Sequence, residues 1–283
     1  MVRESLAERF IHEGRIGRFE QFVVLAAYFD ESGNHPRSKR IGVAGAVALA
    51  ENWKQFEEQW RKGLVIADRE RTYHANQNTP IDRVLNQMLA LLVNDHGIAA
   101  LCITVDEGQY IANTTAMDRS VLGNAYGFAS FACVSFIADW LRSLDKGDAS
   151  YYIDQGGQGY GKIMEILAMG YRDDGFRAQL KMAGFGPADH RQHLPVHTAD
   201  LVAHEVITNR SASQPLAYMG ERVTVHDLTV EQIRETMTQF RGLVAHFKRE
   251  KQRARNLKRR GRKDKSYYQS LALKRTAQQG IRW

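Results

Sequence analysis

The stretch VVLAAYFDESGNHPRSKRIGVAGAVA, residues 23–48, constrains the fold more than any other part of the chain. Its apolar run, Val23 to Phe29, is built of β-branched, aromatic and small residues without a breaker, the pattern of a buried strand. The run ends in two adjacent carboxylates, Asp30 and Glu31. Gly33, Asn34 and Pro36 then punctuate a turn, and a second apolar, Gly-rich run at 41–48 returns as a hairpin. A strand that is buried along its length yet acidic at its tip asks for a sheet whose strand ends open onto something positively charged.

Downstream, helical and strand patterns alternate. Trp53, Phe56 and Trp60 recur at helical spacing in 50–65, with Glu51, Lys54 and Glu58 on the other side, which reads as a core-facing helix. A polar loop at 71–80 leads to a second amphipathic helix at 81–97. Strand patterns follow at 98–107, at 149–154 and, shorter, at 178–183. Helices are expected at 118–144, 162–172, 197–210 and, as one long and increasingly basic element, 229–260. Strands followed by helices alternating with strands predict an α/β layered domain with a mixed sheet. The expected organisation is an N-terminal extension (1–21), the α/β domain (22–210) and a helical, basic C-terminal extension (211–283).

Charge is distributed unevenly. Residues 248–283 hold 14 Lys/Arg and two Asp/Glu, a net +12, while the remainder holds 25 basic and 30 acidic residues, a net −5. Lys258, Arg259 and Arg260 lie in the densest part, KREKQRARNLKRRGRKDK. Such a tail is either a solvated helix end or an arm that follows a phosphate backbone, and the excess of one sign favours the arm. Tyr267, Tyr268 and Trp283 add rings that could stack on bases. The two cysteines, Cys102 and Cys133, both sit in apolar runs, so no structural disulfide is expected and a reducing cytoplasm fits. The charged N-terminus lacks the apolar core of a secretory signal, and no segment is long and apolar enough to predict a membrane span.

Three acids stand out by position: Asp30 and Asp154 at strand ends, and Asp200 early in a helix. In open α/β sheets, sites form where strand ends splay at a change of strand order. Acids meeting there would repel or take up protons unless a cation neutralised them. Mg²⁺ or Mn²⁺ suits clustered carboxylate oxygens, and two such ions can clamp the attacking and leaving oxygens of a phosphodiester. Each acid also has a plainer reading as a turn or helix cap, the role expected of Asp106 at the end of its strand.

FDESGN after a first strand, together with HTADLVAHEV late in the chain, resembles the "domain of unknown function 3800" family. The resemblance spans roughly residues 22–210 and implies an RNase H-like fold: a mixed sheet flanked by helices, here with a basic helical C-terminal extension. It also implies acids on the first strand, at the end of the fourth strand and on the last helix, places that Asp30, Asp154 and Asp200 occupy in order. RNase H proper adds a Glu on its first long helix. Residues 118–144 hold no Glu but do hold Asp118 and Asp139. Glu31 is the other candidate for the missing ligand, although strand alternation points it away from Asp30.

Histidines surround the last acid. His197, Asp200 and His204 fall at i, i+3 and i+7 and share a helical face. Zinc is an alternative for such a set. His190 and His193 precede Pro195 and belong to a loop rather than that face. His197 and His204 are therefore expected beside the metal acids, orienting water or phosphate. His74, in the polar loop, and Ser32 are further candidates for substrate contact. GGQGYGK (156–162) has neither the P-loop nor the dinucleotide spacing and reads as a flexible turn beside Asp154.

The leading expectation is a metal-dependent nuclease, with Asp30, Asp154 and Asp200 as ligands, Glu31 and His204 in supporting catalytic roles, and the tail holding RNA or DNA. A non-catalytic nucleic-acid-binding module, alone, as a homo-oligomer or with a protein partner, is the second reading. An actin-like nucleotide phosphohydrolase is the third, since DESG is compatible with a phosphate turn, but no second such turn is found.

Overall fold

A computed structural model of the chain describes residues 24–33, 39–70, 73–77, 79–157, 159–208 and 214–238, with isolated positions 240, 241, 245, 249 and 252. The expected N-terminal extension, part of the first turn, and Lys258, Arg259 and Arg260 lie outside the described residues. The chain forms two units, 1–233 and 234–283. In the second, the described positions are helical.

The hairpin forms as expected. Strand β1 (Leu25–Ser32) pairs antiparallel with β2 (Arg40–Leu49), in a register that sets Asp30 opposite Ala44. β3 (Ala99–Asp106) pairs antiparallel with β2. On the other side of β1, β4 (Ala149–Asp154) runs parallel to it, and β5 (Met182–Ala188) parallel to β4. β6 (Val223–Asp227) joins β3 in parallel. The order is β5-β4-β1-β2-β3-β6, so β2 alone runs against the rest. This is an RNase H-like mixed α/β sheet.

Helices cover both faces. α1 (Ala50–Ile66) buries Trp53, Phe56 and Trp60 as its periodicity predicts. The Trp53 indole donates to the Ala26 carbonyl at 2.9 Å, fastening the helix to β1. α2 (Pro80–Asp95) starts at a Thr79–Asp82 capping box with Pro80 in its first turn. α3 (Glu107–Asn113) is a short helix the sequence did not predict, and the helix expected at 118–144 is two pieces, α4 (Ala116–Leu122) and α5 (Ala125–Ser143). Gly123, at φ +81°, ends α4, and the Asn124 side chain caps α5 by accepting from Gly127 N–H. Asp106 caps α3, and Asp118 closes the capping box of α4. Asp139 is ion-paired with Arg142 on the surface. Neither Asp118 nor Asp139 replaces the missing helical Glu.

α6 (Tyr160–Gly170) and α7 (Asp174–Gln179) precede β5, which starts later than expected. Residues 178–183 end α7 and turn at Lys181 (φ +48°), so only their last two residues enter the strand. The GFGPA sequence of β5 has low strand propensity, and Pro187 is tolerated because β5 is an edge. α8 (Val196–Thr208) packs across β1 and β2. α9 (Gln214–Met219) leads by a short 3₁₀ turn into β6. The sheet therefore continues past residue 210, the boundary expected for the domain.

Gly45 explains the glycine content of β2. A Cβ there would lie 2.6 Å from the Phe29 ring and 2.7 Å from Ile137 of α5. Three residues earlier, a Cβ at Gly42 would meet Ile207 of α8 at 2.8 Å, so α5 and α8 cover opposite faces. Among the described residues no single helix is long and apolar enough to cross a membrane.

Candidate metal centre

Strand register creates the site. β1 and β4 run parallel with Phe29 opposite Ile153, so Asp30 and Asp154 are the next residues at neighbouring strand ends. Both project to the α8 face, above the stacked rings of Tyr28 and Tyr152, whose centroids are 5.0 Å apart. This is the point where β4 follows β1 across the sheet while β2 departs on the other side, the place where such sheets bind ligands.

Each carboxylate has one oxygen fixed by backbone. Glu31 N–H donates to Asp30 Oδ1 at 2.8 Å, and Gly156 N–H to Asp154 Oδ2 at 2.9 Å. The other oxygens face one histidine: His190 Nε2 lies 3.0 Å from Asp30 Oδ2 and 3.6 Å from Asp154 Oδ1. Asp200, from α8, accepts the Ala75 N–H at 2.9 Å and lies 3.8 Å from His74 Nδ1. Two ligand sets result, Asp30–Asp154–His190 and His74–His190–Asp200, each with its ligand atoms within 4.8 Å of one another. His190 belongs to both.

The electrostatics are those of crowded, dehydrated acids. Burial raises Asp30 well above the usual carboxylate range, and the charges of Asp200 and Asp154 push the same way; hydrogen bonds from the Glu31 backbone and side chain pull back only in part. Burial also raises Asp154, against the attraction of His190 and the Gly156 N–H. Asp200 moves down: burial would raise it, but His74, the Ala75 N–H and His190 outweigh that. A divalent cation at either ligand set would offset the charge of its acids, and the donors of both sets fit one.

The expected residues divide. Asp30, Asp154 and Asp200 converge, and His74, half-exposed on its loop, joins them. His190, which sequence reasoning left on a loop, is the hinge of the cluster. Its signal was present as an Asp-His pair directly after a strand, but nothing local says where such a loop folds. His197 is a core histidine rather than a substrate contact. Its Nδ1 accepts from the Trp60 indole at 2.9 Å, so its proton sits on Nε2, which donates to the His190 carbonyl at 3.0 Å. Burial first, and then His190, drive its pKa to about 3, which keeps the ring neutral. His204 is half-buried and enters neither ligand set. Ser32 ends β1 opposite Gly42 and is half-buried.

Glu31 is outside both ligand sets. Its carboxylate abuts the turn after β4, where a Cβ on Gly157 would come within 2.7 Å of both its oxygens and 2.8 Å of the Tyr126 hydroxyl. The glycines after Asp154 thus make room for Glu31 and Tyr126, a packing role the sequence did not predict.

No family model matches the chain, and no curated protein matches it.

Proposed function

We propose that the protein is a divalent-metal-dependent nuclease that hydrolyses phosphodiester bonds of RNA or DNA in the cytoplasm. The same proposal places it in the "domain of unknown function 3800" family, which its DESG start resembles. The observation that carries the reading is the meeting of Asp30, Asp154 and Asp200 at the ends of two parallel strands and on the covering helix. Asp30 Oδ2 and Asp154 Oδ1, free of backbone donors and turned to one point, are the oxygens that would hold a cation; Asp200 completes the set. A bound divalent cation supplies charge neutralisation and Lewis-acid activation for attack at phosphorus. Asp30 and Asp154 are oriented by the Glu31 and Gly156 N–H groups, so little reorganisation is needed at the reacting centre. His190 Nε2, among the acids, is placed to give or take a proton at a leaving or attacking oxygen. The net +12 of residues 248–283 supplies the phosphate-binding arm.

The test is a cleavage panel on single- and double-stranded RNA and DNA and on the hybrid, with Mg²⁺, Mn²⁺ or EDTA. Wild type is expected to cut at least one substrate with the ion and not with EDTA, and Asp30→Asn to lose cutting while remaining folded. Deleting 248–283 should weaken binding and flatten its salt dependence. Binding without cleavage under any ion, retained in Asp30→Asn, would replace this reading with that of a binding module.

A further inference from the structure

The cluster is not a pure oxygen site. His74, His190 and Asp200 bring two imidazoles and a carboxylate together. Three protein ligands of this kind, with room for water or substrate, are the composition of catalytic zinc sites. Two ligand atoms on a tetrahedral ion with bonds near 2.1 Å stand about 3.4 Å apart. His74 Nδ1 and Asp200 Oδ2 are already 3.8 Å apart.

Two further features point to a built site. First, α8 ties down both histidine loops. Asp200 accepts the Ala75 N–H, holding the residue after His74, and His197 donates to the His190 carbonyl. His197 is itself locked in one tautomer by the Trp60 indole and is only 2% exposed. Outer contacts that fix the loops carrying ligands hold those ligands in place for a metal. Second, His190 Nδ1 is buried without a hydrogen-bond partner. A buried polar atom left unsatisfied costs about 1–3 kcal/mol, which an ion on Nδ1 itself would offset while Nε2–H faces Asp30.

We propose that the His74–His190–Asp200 set takes a first-row transition-metal dication of the Zn²⁺ class in preference to Mg²⁺, beside an oxygen position formed by Asp30 and Asp154. Imidazole nitrogen suits such ions, whereas Mg²⁺ keeps to oxygen and water. A neutral imidazole has one lone pair, so His190 serves one position at a time. The inference deepens the reading of the cluster as a cation site and does not depend on nuclease activity.

Zn²⁺ and Mg²⁺ are titrated calorimetrically into the full chain, and Co²⁺ is followed by its visible absorption. Wild type should bind Zn²⁺ at least about a hundredfold more tightly than Mg²⁺. His190→Ala and His74→Ala should each weaken Zn²⁺ by about tenfold or more and change the Co²⁺ spectrum, and His74→Ala, which is outside the Asp30–Asp154 position, should leave Mg²⁺ affinity unchanged. His74 is half-exposed, so its variant remains informative if His190→Ala does not fold. Equal affinity for the two ions, or Zn²⁺ binding that survives both substitutions, overturns the proposal. Mg²⁺-supported cleavage without histidine-dependent Zn²⁺ binding would keep the nuclease and remove this site. Histidine-dependent Zn²⁺ binding with no cleavage of any nucleic acid would do the reverse.

Discussion

Replacing Asp30 by Asn should stabilise the fold while removing Mg²⁺ binding at the Asp30–Asp154 position. The ligand oxygens of Asp30 and Asp154 lie within 4.8 Å. At an effective dielectric constant near 20, two like charges at that distance repel by about 3–4 kcal/mol. Asn keeps the shape and can still accept from His190, but the charge-assisted part of that bond, about 1–2 kcal/mol, is lost. The net expectation, at pH 8 in EDTA, is a variant more stable by about 1–3 kcal/mol. That corresponds to a Tm increase of roughly 2–12 °C for a chain of this size. The sign follows from the raised pKa of Asp30. Its folded form prefers the proton, so the wild type loses relative stability as pH rises through that raised value, and the advantage of the variant should vanish near pH 4. Saturating Mg²⁺ should invert the order. Wild type gains about 2.7 kcal/mol at one hundred times Kd, and the variant gains far less. Thermal unfolding at pH 4 and pH 8, with EDTA and with ion, reads all four corners. A variant less stable than wild type at pH 8 in EDTA, or one that gains as much from the ion, would refute the account of the cluster as crowded acids awaiting a cation.

Three further outcomes test the surrounding structure. His197→Phe fills the same space but strands the Trp60 indole N–H and the His190 carbonyl; urea unfolding should show a loss of about 2–4 kcal/mol. Glu57, half-buried on α1, is pushed up by burial to about 7, with Arg61 opposing. Its stabilising contribution is therefore complete below the ordinary carboxylate range and lost as pH rises through about 7. Glu57→Gln should gain about 1–2 kcal/mol at pH 8.5, after discounting for exposure, and nothing at pH 4. Gly45→Val should cost at least about 1–3 kcal/mol in chemical denaturation, because its Cβ must displace Phe29 and Ile137. A Gly45→Val protein as stable as wild type would mean that β2 and α5 are not in the contact described.

What the sequence determines on its own is what repeats locally or ends abruptly. The run from Leu25 to Phe29 can only be a buried strand, and the Trp53–Phe56–Trp60 spacing can only bury one side of a helix. The acids Asp30 and Asp154 are legible because they interrupt apolar strands at their tips, and parallel pairing of those strands then forces them together. Local pattern fails where a residue's partner is distant. The helical face shared by His197, Asp200 and His204 is real, yet Trp60 and the His190 backbone claim His197, the Ala75 and His74 loop meets Asp200, and His204 is left outside the cluster. β5 is a strand because an edge was available to pair with, not because GFGPA is strongly strand-forming, whereas β6 carries the β-branched run Val223–Thr224–Val225. The loop of His190 is held to α8 by the His197 ring, which donates to the His190 carbonyl from 7 residues further along the chain, a tether that no apolar periodicity encodes. The sequence therefore places the oxygen ligands, which ride on regular elements, and the tertiary structure places the nitrogen ligands, which ride on loops.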